Sequence, residues 1–280
     1  GDLPSFTPEF PAILHGDVAG VVDAVGDDVT EFQPGDEVYG LVGGAGRQGV
    51  LADFALANAG TVAPAPERLS LAEAATLPVV ALTAWEMLTE KANVESRDDV
   101  LVYGGAGGVG HVGVQVADWA GASVTATGST AEKRALAADL GADATVDYAS
   151  TDVEEYVAEH AAADGFDTVF DPVGDDHLQT SFEAVRLYGT VVTTESSSTQ
   201  DLGPMHQQSL SLGVVLVILP ILQGERQERL GNELDRIATL VDDSHLAPVL
   251  DDRRFTFDEV ADAHRYGESG DHVGKILLER

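Results

Sequence analysis

Hydrophobic positions along the chain change their spacing near residue 70. Between residues 12 and 63 the apolar runs are short and bounded by turn residues, which predicts strands and hairpins rather than helices. Val18–Val25 is a β-rich run ending at Gly26-Asp27-Asp28. Pro34-Gly35-Asp36 is a turn that leads into a strand over Glu37–Leu41. Gly43, Gly44, Gly46 and Gly49 form a loop before a further strand over Leu51–Leu56. Ser70-Leu71-Ala72-Glu73 then has the spacing of a capping box, which opens a helix by satisfying its free N–H groups. Pro78 interrupts it, and a second helix is expected to run to about Glu90.

From Asp99 onward strand and helix patterns alternate. Strands are predicted at Val100–Tyr103, Ser123–Thr127, Ala144–Val146, Thr168–Asp171, Thr190–Thr194 and Val214–Leu219. Helices are predicted at Val109–Ala120, Ala131–Leu140, after the capping box Thr151-Asp152-Val153-Glu154, and near Leu178–Leu187. Such alternation implies a parallel sheet with helices on both faces. A further helix carries Leu230, Leu234, Ile237 and Val241 on one face. The tail returns to a mixed pattern, with Phe255–Phe257, a helix over Asp258–Glu268 and a last strand at Lys275–Leu278.

Composition narrows the field of functions. The 280 residues hold 48 acidic and 15 basic side chains, a formal charge of −33. A polyanion of this strength repels nucleic acid and anionic lipid, so neither is expected as a partner. With no cysteine, thiolate zinc sites, Fe–S clusters and cysteine nucleophiles are excluded. Gly1–Pro11 has no signal-peptide pattern, and the longest apolar run, Leu212–Leu222, is too short to span a bilayer. The basic residues are twelve Arg and only Lys91, Lys133 and Lys275, and the acids are spread along the whole chain. That balance fits a cytoplasmic protein of a salt-accumulating organism, because concentrated salt screens the self-repulsion.

Gly105-Ala106-Gly107-Gly108-Val109-Gly110 follows an apolar strand and precedes a helix, the context in which G-x-G-x-x-G binds a dinucleotide. Gly105 is assigned the tight turn, Gly107 the approach to a pyrophosphate and Gly110 close packing of the helix on the sheet. The helix start offers free N–H groups to phosphates. An NAD site usually ends its second strand in Asp or Glu. Here Val124–Thr127 runs into Gly128-Ser129-Thr130, with Lys133 one turn on. An acid would repel a 2′-phosphate, whereas lysine and hydroxyls hold one, so NADPH is the expected cofactor. A solvated lysine paired with Glu132 or Asp139 fits the same spacing.

These motifs, with Gly16-Asp17-Val18-Ala19-Gly20, Pro34-Gly35-Asp36-Glu37-Val38, Leu77-Pro78, Thr83-Ala84-Trp85, Gly141-Ala142-Asp143, Asp171-Pro172-Val173-Gly174 and Gly274-Lys275-Ile276-Leu277-Leu278, extend over nearly the whole chain. Together they resemble the medium-chain dehydrogenase/reductase superfamily, in its zinc-lacking quinone oxidoreductase branch. The resemblance implies an α/β fold, a Rossmann doubly wound parallel sheet over residues 80–244. It adds a GroES-like, mainly-β catalytic domain from residues 1–79 and 245–280, with the nucleotide between the two. It implies that Thr83 sits beside the nicotinamide, and that Ser129, Lys133 and Tyr148 hold the 2′-phosphate. Val173 and Gly174 would line the nucleotide cleft, and Glu195–Ser198, with Ser196, would pass near the nicotinamide. By spacing alone, Tyr148 also fits a strand-end residue and Thr83 a helix-interior hydroxyl. The family carries a further N-terminal segment with residues next to the substrate, so the chain is expected to be N-terminally incomplete. Ser196 stands where relatives usually have glycine, with Glu195 before it.

Zinc-using members place metal ligands at the positions of Gly16 and Val79, so no metal is expected, and His15 is expected to be a strand-end residue. Without a Lewis acid, hydride transfer suits a small carbonyl, quinone, enone or other activated alkene. Thr83 and Tyr39 are the candidate catalytic side chains, Tyr39 fitting a core position equally well. Alternatives are an enoyl-thioester reductase, a zinc-type alcohol dehydrogenase, and a non-catalytic, crystallin-like NADPH-binding protein. A homodimer joined at Val214–Leu219 is expected from that uncharged run at the end of the strand order. Screening of the −33 charge predicts that the melting temperature rises steeply from dilute buffer to molar KCl, as followed by circular dichroism. A flat profile would mark an ordinary acidic protein.

Overall fold

A computed structural model describes residues 11–44, 46 and 48–280. The segment read for a signal peptide falls almost wholly outside these residues. In chain order the elements begin with β1 (Asp17–Val21), β2 (Glu37–Leu41), β3 (Val62–Pro64), α1 (Leu71–Ala74) and α2 (Pro78–Trp85). There follow β4 (Asp99–Val102), α3 (Gly110–Trp119), β5 (Ser123–Thr127), α4 (Ala131–Asp139), β6 (Ala144–Val146) and α5 (Val153–His160). Next are β7 (Phe166–Asp171), α6 (Leu178–Ala184), β8 (Val185–Thr193), α7 (Gly203–Gln208) and β9 (Ser211–Val214). The chain ends with α8 (Leu219–Gln223), α9 (Glu228–Asp242), β10 (Leu250–Thr256), α10 (Val260–Ser269) and β11 (Lys275–Glu279). No helix of the described residues is long and apolar enough to cross a membrane.

By its internal contacts the chain divides into one unit of residues 1–82 and 217–280 and a second of residues 83–216. The second unit holds six parallel strands in the order β6-β5-β4-β7-β8-β9. This is the doubly wound order, and it reverses between β4 and β7. Both strands are central in the sheet and almost wholly buried, with Val100–Val102 and Val169-Phe170 as their apolar stretches. Leu101, Val169, Val191, Phe166 and Phe182 form the centre of the core with Tyr156 from α5.

The first unit has an antiparallel sheet β1-β2-β3 and a parallel pair β10-β11. Helix α9 packs against β2 and β3, with Leu230, Leu234, Ile237 and Val241 buried. Position 60 has no room for a side chain because the backbone of Glu228 lies 2.8 Å from where a Cβ would stand. These contacts place α9 in the first unit, whereas the sequence reading grouped it with residues 80–244.

Several local expectations change. Leu51–Leu56 is not a strand: it finds no ladder partner, and Phe54 and Leu56 are exposed. They border an apolar hollow of 680 Å³ with Val18, Val22, Val38 and Phe257. The capping box at Ser70 forms, with the Ser70 amide donating to Glu73 at 2.8 Å, yet its helix lasts only four residues before Pro78 starts α2. Helix α5 starts from Asp152 rather than Thr151, without a side-chain cap. The sixth strand is Ser211–Val214, not Val214–Leu219, because its partner β8 ends at Thr193 and the chain then turns away.

Candidate functional site

Strand β4 runs into a turn held by backbone contacts. The Gly104 amide donates to Thr127 Oγ1 at 3.0 Å, the Gly105 amide to the Thr127 carbonyl at 2.9 Å, and the Gly107 amide to the Gly104 carbonyl at 2.8 Å. The left-handed residue is Gly104, with φ 64°, and not Gly105 as the spacing suggested. Gly105 is required for a different reason: a Cβ there would stand 2.8 Å from Ala126 Cβ. At Gly110 a Cβ would stand 2.0 Å from the Gly104 carbonyl oxygen, so the first residue of α3 closes the turn against the turn's own start. Gly107, Gly108 and Val109 are half-exposed between these fixed points. The first turn of α3 therefore presents backbone N–H groups and the positive end of the helix dipole beside the β4–β7 reversal.

On the other side of the reversal, β7 ends in Asp171, which is wholly buried. Its Oδ1 accepts from the amides of Val173 at 3.0 Å and Gly174 at 2.9 Å. Its Oδ2 accepts from Ser181 Oγ at 2.7 Å and meets His177 Nδ1 at 3.2 Å. Burial pushes the carboxyl pKa up, and the bonds from His177, Gly174 and Ser181 outweigh it, so the group ionises below its ordinary value. The His177 ring meets Tyr103 edge-on at 4.3 Å, which joins this loop to the residue before the glycine turn. Gly174 has φ 67° and lies against the Glu195 carbonyl, 2.2 Å from where a Cβ would stand. The Glu195 carboxylate folds back on its own loop, accepting from the amides of Ser196 at 3.0 Å and Ser197 at 2.9 Å. Ser196 does not have a positive φ, so serine fits where a glycine was expected.

At the end of β5, Gly128 is buried and its amide donates to the Val146 carbonyl at 2.9 Å. Positions 128–131, Gly-Ser-Thr-Ala, carry no acid. Thr130 caps α4 by accepting from the Lys133 amide. Ser129 and Tyr148 are exposed and Lys133 half-exposed. The sequence reading missed Arg134, whose guanidinium donates to the Gly128 carbonyl at 3.0 Å and pairs with Asp147 at 2.9 Å. The available signal was the same as for Lys133, a cation in the first turn after β5.

Two family models match the chain, the alcohol dehydrogenase GroES-like domain over residues 1–67 and the zinc-binding dehydrogenase over residues 140–278. A mitochondrial NAD(P)H oxidoreductase of Mus musculus is 34% identical over 96% of this chain and 71% of its own length. The chain belongs to the medium-chain dehydrogenase/reductase superfamily. The solved quinone oxidoreductase of Pseudomonas syringae superposes with a TM-score of 0.88 at 27% identity, covering 100% of this chain and 85% of that one. A 2-methylene-furan-3-one reductase of Solanum lycopersicum is 34% identical over 99% of this chain and 66% of its own.

In this superfamily member, Gly16 has no space for a ligand side chain, since a Cβ would stand 2.4 Å from the Gly43 carbonyl. The Val79 amide donates to Asp17 Oδ1 at 2.8 Å, and Asp17 pairs with Lys275 at 3.6 Å. Burial raises the Asp17 carboxyl pKa against the opposing pull of Lys275 and the Val79 amide. Thr83 is a buried residue within α2. Tyr39, read as a candidate catalytic side chain, is instead core: it is wholly buried and its hydroxyl donates to the Leu234 carbonyl at 2.6 Å. That bond spends its only proton, and burial raises its pKa further.

Asp171→Asn should cost about 2–3 kcal/mol, because the bonds to His177 and to two amides lose their charge. The parent's folded carboxyl ionises below the unfolded value of about 3.9. Its stabilisation is therefore complete above that pH and lost as pH falls through the folded value. Denaturant titrations of the two proteins should differ most at neutral pH and converge below about pH 4.

Proposed function

We propose that the protein transfers hydride from NADPH to an electron-poor carbon of a quinone, enone or related activated alkene. The observation that carries this reading is the phosphate-compatible end of β5, where Gly128 stands in place of an acid with Ser129, Lys133 and Arg134 beside it. A 2′-phosphate there gains cationic partners, and Arg134 is already oriented by the Gly128 carbonyl and Asp147. The glycine turn and the start of α3 are the reading's pyrophosphate site, and Val173 and Gly174 its nicotinamide-side wall. Two relatives bear names consistent with the chemistry, an NAD(P)H oxidoreductase and a reductase of a furanone with an exocyclic double bond. With no metal invoked, rate acceleration rests on holding donor and acceptor carbons close and aligned, and Thr83 is assigned the hydrogen bond beside the nicotinamide.

The test is NADPH fluorescence titration and NADPH oxidation with a simple quinone and a simple enone in molar KCl. NADPH should bind at least about tenfold more tightly than NADH, and Arg134→Ala or Lys133→Ala should narrow that ratio. EDTA should leave turnover unchanged, and Thr83→Val should lower it. Equal affinity for the two nucleotides, or turnover that requires added zinc, would refute the reading.

We also read the open edge at β9 and the residues that leave it as a homodimer contact, since Val214 at the strand's end and Leu216 beyond it are each more than 40% exposed. Light scattering in high salt should give twice the chain mass, and Leu216→Lys should halve it.

A further inference from the structure

His15, two residues ahead of β1, and His264, on α10, belong to the same unit and face each other through their rings. Their Nε2 atoms lie 3.3 Å apart, the ring centroids 5.1 Å apart, and the planes meet at 61°. A straight N–H···N bond would put both nitrogens on the line between the centroids. Because each centroid lies about 1.1–1.2 Å behind its nitrogen, a straight contact would separate the centroids by about 5.6 Å. The shorter observed separation means that the contact is bent rather than straight. Two imidazole nitrogens on one tetrahedral zinc, at about 2.0–2.1 Å and near 109°, stand about 3.3–3.4 Å apart, which is the spacing of these two nitrogens.

We propose that His15 and His264 form a two-histidine site for a divalent transition-metal ion of the zinc or copper class. His15 has φ 66°, a left-handed backbone uncommon outside glycine. His264 is exposed, so water has access to the remaining coordination positions. Among the described residues no group of three or more His, Cys, Asp or Glu is placed around one ion, so the site has two protein ligands and exchanges its metal with solvent. Lys275 is the cation that faces His15, and Asp17 pairs with it at 3.6 Å. The net charge of −33 raises the concentration of cations at the surface. Neither position 16 nor position 79 takes part, so the site is separate from the ligand pattern of zinc-using relatives. It does not depend on the hydride-transfer reading.

The experiment uses Cu²⁺ alone, which binds nitrogen sites more tightly than Zn²⁺, followed by Zn²⁺ in competition. Electron paramagnetic resonance of one equivalent of Cu²⁺ should show coupling to two imidazole nitrogens. His264→Gln, on an exposed helix face, and His15→Asn, which tolerates a left-handed backbone, should each lower affinity at least tenfold. Both variants should keep the parent's melting temperature in EDTA, which separates lost ligation from lost folding. Parent-like affinity in both variants, or a Cu²⁺ spectrum with oxygen ligands only, would overturn the proposal and leave a bent hydrogen bond between the rings.

Discussion

The close approach of the chain to itself after β4 sets the geometry on which the second unit depends. The carbonyl of Gly104 lies 2.0 Å from where a Cβ of residue 110 would stand, so α3 can begin there only without a side chain. The same turn presses Gly105 against Ala126 on β5 and Ala137 on α4. Strand, turn and helix are thereby fixed against each other before any ligand is considered. The helix start is left pointing at the crevice beside the strand-order reversal, where doubly wound sheets bind nucleotides.

Across that crevice the protein adds a buried charge to a close backbone contact, that of Gly174 with the Glu195 carbonyl. Asp171 gathers two amides, a serine hydroxyl and a histidine onto one carboxylate. A carboxylate removed from water is stable only when its lone pairs are filled, and here they are. The loop of Val173 and Gly174 is held by these bonds, and the Tyr103–His177 ring contact links it to the glycine turn. Asp171 and Glu195 both shape loops by accepting from backbone amides near them. The adenosine end follows a third principle, with Arg134 oriented between a carbonyl and Asp147.

Much of this was legible in the sequence. The six-strand alternation, the glycine fingerprint and the missing acid at Gly128 each arise from local chain chemistry, so spacing alone exposes them. The apolar face of α9 was equally plain, because a 3.6-residue period needs no partner to be seen. The motif resemblance carried the superfamily for the same reason, since its residues serve turns and strand ends at fixed offsets.

What the sequence left open depends on which distant segment arrives. Whether Gly104 or Gly105 takes the left-handed turn depends on where Thr127 and Gly110 sit. Tyr39 became core because α9, nearly two hundred residues later, brings the Leu234 carbonyl to its hydroxyl. Leu51–Leu56 had the composition of a strand but no edge to pair with, and strand formation requires a partner. Val214–Leu219 shifted to Ser211–Val214 because β8 sets where the ladder ends. Arg134 and the meeting of His15 with His264 were invisible for the same physical reason. A local pattern specifies backbone state and burial face, but only the packed chain decides which side chains share one point in space.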